Sequence, residues 1–214
     1  MRLVVSILMI GLLIPAKQNF DISANNHDLR IGKQFTDVSP DFLDNFELQS
    51  GDLVFRKGSG LISDLFTRIS SVEQRFSHVG IIVKYREQIM VAHILGTGGT
   101  GDQEFRMDPL RHFIREDRAR QFGIYRLNIS DEVKCEIESY ILSIDETNIF
   151  FDDKFDLSTD SALYCSELIY KCVTKATADD ACFTISKAGG KRYVSFDDLI
   201  RNAEQLIYCQ YQKL

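Results

Sequence analysis

Cysteine and histidine are the residue types in this chain whose placement could do chemistry. Cys165 stands in Ala162-Leu163-Tyr164-Cys165-Ser166-Glu167-Leu168-Ile169-Tyr170, a run that reads as the opening of a buried helix. Upstream, His78 stands in Phe76-Ser77-His78-Val79-Gly80-Ile81-Ile82-Val83, a short apolar strand. A helix N-terminus lowers a thiol pKa, and a nearby imidazole can hold the thiol proton. If the two meet in space, the chain is a hydrolase or an acyltransferase.

A catalytic imidazole needs a group on its far nitrogen to set tautomer and tilt. Two strands, 78–85 and 88–95, flank the tight turn Arg86-Glu87 and predict a hairpin. Counted from that turn, His93 lies two positions nearer than His78. An offset of two keeps both side chains on one face as diagonal neighbours. His93 is therefore the expected orienting group. Asp52, in a Gly-Asp turn before a strand, has either a turn role or a role in ordering the site. His27 falls in a polar leader and reads as solvated loop. His112 reads as a surface helix position. Asp152, Asp153 and Asp156 do not have the spacing of an EF-hand and read as solvated acids.

These residues need a scaffold, and 214 residues are enough for one domain with a substantial core. Hydrophobic residues are 44% and charged residues 26%, an ordinary globular composition. The net charge of −6, with no basic tract, argues against nucleic-acid binding. None of the five cysteines forms a Cys-x-x-Cys pair, so a structural zinc site has little support and no metal is expected. Cys165 is the natural free thiol of an odd set. Cys172 falls on the same helix face and reads as core. The glycine-rich segment 96–101 is followed by no Gly-Lys-Ser/Thr, so it is not a phosphate-binding loop, and no cofactor is expected.

Met1-Arg2 and the apolar run 3–14 have the proportions of a signal-peptide core, too short to span a bilayer comfortably. The expected organisation is a signal segment at 1–17, a leader at 18–44 and one domain at 45–214. The chain is expected to be exported to the periplasm or cell envelope, near the membrane. Periodicity predicts short strands at 53–56 and 121–127, and a helix at 61–69. It also predicts a helix at 131–144 capped by Ser130 and acids in its first turn. Ser195-Phe196-Asp197-Asp198 resembles a capping box opening a last helix to about 208. The whole reads α+β, a central antiparallel sheet flanked by helices.

Five pieces of sequence carry a likeness. They are Gly51-Asp52-Leu53-Val54-Phe55, Ser77-His78-Val79-Gly80-Ile81, Met107-Asp108-Pro109-Leu110, the stretch Phe151-Asp152 through Phe155-Asp156, and Tyr164-Cys165-Ser166-Glu167-Leu168. In this order they resemble the YiiX/YaeF-like group of permuted papain-fold amidases, in the NlpC-type superfamily, over roughly 45–200. The resemblance implies a circularly permuted papain-like fold, with histidine before cysteine. It implies Cys165 as nucleophile, His78 as general base and then acid, and His93 as the third polar residue. Many members of the group carry glutamate where this chain has His93, whereas NlpC-type peptidases often use histidine. It further implies attack on an amide or ester carbonyl, with the Cys165 N–H helping to hold the oxyanion. Tyr164 would border the oxyanion site or serve as a core aromatic. The expected substrate is a cell-wall peptide or an acyl-amino acid. Two alternatives stand beside it: a lipid acyl hydrolase or transferase, and a silent binding module on the same fold.

Overall fold

The structure is a computed structural model and describes residues 33–35, 42–58, 73–96, 105–145 and 149–211. The expected signal segment, most of the leader with His27, the helix at 61–69 and the glycine-rich loop beyond Gly96 lie outside these residues. The chain runs through β1 (Lys33–Phe35), a 3-10 turn at Phe42–Asn45, β2 (Leu53–Lys57), β3 (His78–Tyr85), β4 (Gln88–Ile94) and β5 (Phe105–Pro109). It continues through α1 (Leu110–Phe113), β6 (Gln121–Leu127), α2 (Asp131–Asp145), β7 (Phe150–Phe151) and β8 (Ala162–Leu163). Last come α3 (Cys165–Thr177), β9 (Ser186–Ala188), β10 (Lys191–Tyr193), α4 (Phe196–Ile200) and β11 (Ala203–Gln210).

Seven of these strands form one sheet in the order β1-β11-β6-β2-β3-β4-β5. Six are mutually antiparallel, and β1 adds to β11 in parallel. Helices cover the sheet, which is the α+β architecture expected. The central strands bury both faces, so β2 and β3 are nearly continuous apolar runs. Leu53, Phe55, Val79, Ile81, Ala92 and Ile94 turn toward α2 and α3. Val54, Ile82, Val91, Phe122 and Ile124 turn to the opposite face, under Phe42, Leu43 and the Leu110 and Phe113 of α1.

β3 and β4 form the expected hairpin, with Tyr85 opposite Gln88 and Ile81 opposite Ala92. Its turn puts Arg86 (φ 48°) and Glu87 (φ 63°) in the left-handed region, the conformation a two-residue hairpin turn requires. One expectation is corrected. The Ser195 capping box is present, with the Asp198 N–H donating to Ser195 Oγ and Ser195 N–H to Asp198 Oδ2. The helix it opens stops at Ile200, and residues 203–210 are β11. Pairing with β6 along the strand, and with β1 at residues 207–209, satisfies this backbone and outweighs the helix-like spacing.

Candidate active site

Helix α3 buries Cys165, Leu168, Ile169, Cys172 and Val173, one face at helical spacing, against the sheet. The residues around its first turn fix where the thiol sits. Tyr164 is extended (φ −103°, ψ 168°), and its N–H donates to Glu167 Oε2 at 3.3 Å. The Val194 N–H donates to the Tyr164 hydroxyl at 2.8 Å, and Ser166 Oγ donates to the Val194 carbonyl at 2.7 Å. Both polar groups of one backbone residue are thus held by the two neighbours of Cys165. The sequence offered a signal in Tyr-Cys-Ser-Glu, but not the partner, which lies 28 residues beyond Ser166.

The backbone N–H of Val79, the residue after His78, lies near enough to the Cys165 sulfur to favour its thiolate form. Sheet register explains why this N–H is available. Ile82 N–H donates to the carbonyl of Asp52, the residue before β2, so even positions of β3 bond toward β2 and odd ones toward β4. The β3–β4 pairing ends at Ile81 and Ala92, so Val79 has no partner on β4. The start of α3 lies by that notch, which sets the buried thiol near the end of the ladder.

Consecutive side chains alternate across a strand, so His78 projects to the face opposite Val79. There His78 Nε2 lies 3.0 Å from His93 Nδ1, the diagonal pairing expected from the hairpin. The two rings stand edge-on at 82°, and Phe113 packs against both, 5.6 Å from His78 and 4.9 Å from His93. Gly80 makes this possible. A Cβ there would stand 2.4 Å from Val91 Cγ1, 2.9 Å from the Ala92 oxygen and 3.2 Å from His93 Cβ. The chain of contacts continues to β5, where His93 Nε2 lies 3.3 Å from Asp108 Oδ2. Asp108 was quoted in a motif but assigned no role; its strand pairing was the missing information.

Arg56 is a second residue that sequence reasoning passed over. It pairs with His78 across β2 and β3, is buried, donates to the Phe113 carbonyl at 2.8 Å and lies 4.1 Å over the Phe113 ring. A charge directly after the apolar run Leu53-Val54-Phe55 was its only signal.

Electrostatics correct one expectation. Burial pushes the Cys165 thiol up to about 12, although the N–H groups of Val79, Ser166 and Cys165 itself, and then Arg56, act the other way. Desolvation of the charged form outweighs the helix end. Burial, followed by His93 and Arg56, holds His78 well below the ordinary imidazole value. His93 is lowered chiefly by burial, against the raising effect of its bond to Asp108. The resting pair is therefore a neutral thiol and a neutral imidazole.

Two expected site residues are placed elsewhere. Asp52 lies at the opposite end of β2 from Arg56 and is buried, with both oxygens held by Arg126 at 2.9 and 2.8 Å and Oδ2 also accepting from Gln49 N–H. It organises the turn and does not reach the thiol. Tyr164 is a core aromatic whose hydroxyl is engaged by Val194 and whose ring packs on Phe155 at 4.9 Å. His112 is half-buried in α1 rather than on the surface. Asp152 is buried and accepts from the N–H groups of Lys154 and Asp156, organising their loop rather than lying solvated. The five cysteines stand as thiols, not disulfides.

A buried thiol at a helix start and a strand histidine with a polar partner are the elements of a papain-like cysteine hydrolase. The family described as permuted papain-like amidase enzyme, YaeF/YiiX, C92, matches residues 47–201, and the chain belongs to it. Its fold is the permuted papain-like one, and the protein is an enzyme of the cysteine amidase and peptidase class. A similar solved structure is that of metalloprotein yiiX from Escherichia coli O157:H7, with 16% identity and a TM-score of 0.59 over 75% of this chain and 96% of that one. No curated protein matches this chain. Among the described residues, no group of three or more His, Cys, Asp or Glu could hold a metal ion. The facing nitrogens of His78 and His93 are directed at each other, so the pair does not fit a shared ion.

Proposed function

We propose that this protein is an exported cysteine amidase that cleaves a cell-wall peptide or an acyl-amino acid through Cys165, His78 and His93. The observation that carries the reading is a buried thiol at the start of α3, close to the Val79 N–H, together with the histidine that precedes Val79, whose Nε2 is tied to a second histidine. The apolar run 3–14 behind Met1-Arg2 supports export.

With His78 Nε2 engaged by His93, its Nδ1 is the nitrogen left to serve the thiol. As Cys165 Sγ attacks the carbonyl carbon, Nδ1 takes the thiol proton, because neither group is charged beforehand. The resulting oxyanion is held by N–H groups at the start of α3, Cys165 among them. The tetrahedral intermediate collapses when His78 gives its proton to the leaving nitrogen, which breaks the C–N bond and leaves a thioester. His78 then takes a proton from water, the hydroxide oxygen adds to the thioester carbon, and Sγ leaves with that proton returned.

The test is intact-protein mass spectrometry during turnover of peptidoglycan stem peptides and N-acyl amino acids. A hydroxylamine-sensitive acyl adduct on Cys165, absent from Cys165→Ala and greatly reduced in His78→Ala, is expected. Turnover that survives Cys165→Ala would remove the reading.

A further inference from the structure

Building on the catalytic pair above, the geometry points to Asp108 as the positioning residue that selects the tautomers of both histidines and so leaves His78 a base toward the thiol. A neutral imidazole has one N–H and one lone pair. His93 Nε2 faces Asp108 Oδ2 at 3.3 Å, and an ionised carboxylate only accepts, so Nε2 carries the hydrogen. Hydrogen bonding to His93 holds Asp108 below the ordinary carboxylate value, which keeps it ionised. His93 Nδ1 is then a lone pair and accepts from His78 Nε2–H at 3.0 Å. His78 Nδ1 is left with a lone pair, the form that can take the Cys165 proton.

The opposite chain of tautomers has the same two contacts but puts a lone pair of His93 against a carboxylate. It also leaves His78 with an N–H toward the thiol, where it cannot act as base. Two histidines bonded only to each other have no strong preference between these chains. The carboxylate supplies it.

The sheet builds the relay by one repeated step. His93 pairs with Arg106 and Val91 with Asp108, so Asp108 is two residues along β5 from the position opposite His93. His93 has the same diagonal relation to His78. Each residue reaches the next as a same-face diagonal neighbour. Other charged or titratable groups around the relay are Arg56 and Arg106 near His93, and His112 and Arg118 near Asp108. Phe113 walls both rings, so neither can swing away to choose a partner for itself.

The experiment compares the wild-type chain with Asp108→Asn and Asp108→Glu. It measures kcat and KM on a substrate that acylates Cys165, and histidine tautomers by 15N NMR. Asn presents an NH2 to His93 Nε2 and stabilises the wrong chain. We expect kcat to fall by about 10²–10⁴-fold with KM little changed, by analogy with an orienting carboxylate made an amide. His78 Nδ1 should shift from pyridine-type to pyrrole-type, and Glu should restore part of both signals. An Asp108→Asn enzyme with wild-type tautomers would overturn the proposal, whatever its activity. The NMR readout is independent of turnover, so an inactive wild type would count against the catalytic reading and still decide the tautomer question.

Discussion

At the residue scale, Tyr-Cys-Ser-Glu is a mounting as well as a nucleophile. Tyr164 and Ser166 grip Val194 from either side of Cys165, and Glu167 folds back on the Tyr164 N–H. Gly80 has an equally local reason, since any side chain there meets β4 before it meets the histidine pair. Gly80→Ala should cost about 1–3 kcal/mol, the usual penalty for overpacking. It should also reduce activity more than that loss explains, because the strand that must yield carries His93. Urea titration beside steady-state kinetics separates the two effects. Unchanged kinetics would mean that His93 does not move.

At the element scale, the β3–β4 hairpin sets the histidine register, and its turn is not ideal. Arg86 and Glu87 both adopt positive φ without being Gly or Asn. The left-handed region costs an ordinary L-residue roughly 1–2 kcal/mol. Glu87→Gly should therefore stabilise the protein by up to about 1 kcal/mol, allowing for the greater freedom of glycine in the unfolded chain. For a domain of this size that is a rise in Tm of about 2–4 °C. A differential scanning calorimetry trace checks it, and kcat should not change because the register is kept. A lower Tm would show that Glu87 contributes contacts of its own. The hairpin was legible in the sequence because turn and alternation lie within a few residues of each other. β11 was not, because its preference for strand comes from β6 and β1, which are distant in the chain.

At the scale of the whole molecule, burial at the site makes stability depend on pH in two opposed ways. Burial raises Glu167 to about 7, against the pull of Lys171, whose Nζ is 3.2 Å from Oε1. The folded protein then holds this proton more tightly than the unfolded chain. The matching stability is present at low pH and is lost as pH rises from about 4.5 towards 7. His78 and His93 have depressed values, so their share is present above the ordinary 6.5 and is lost as pH falls through their folded values. Comparing wild type with Glu167→Gln isolates the first effect. Between pH 5 and pH 8, the wild type should lose on the order of 2 kcal/mol relative to the variant, read from urea midpoints. Parallel curves would mean that Lys171 keeps Glu167 ionised throughout.

The sequence by itself determined what is short in range. It settled the helix start at Cys165, the strand holding His78, the hairpin that brings His93 to the same face, and the α+β class. These follow from periodicity, turn position and helix-end chemistry, which nearby residues decide. Tertiary structure alone decided where the ladder ends, and hence that the Val79 N–H is left unpaired by β4 near the thiol. It also decided that Asp108 reaches His93, that Asp52 is taken up by Arg126, and that the thiol is neutral at rest. Those depend on which strands lie side by side and on how completely the packed chain excludes water from a charge, and neither is written in any local run of residues.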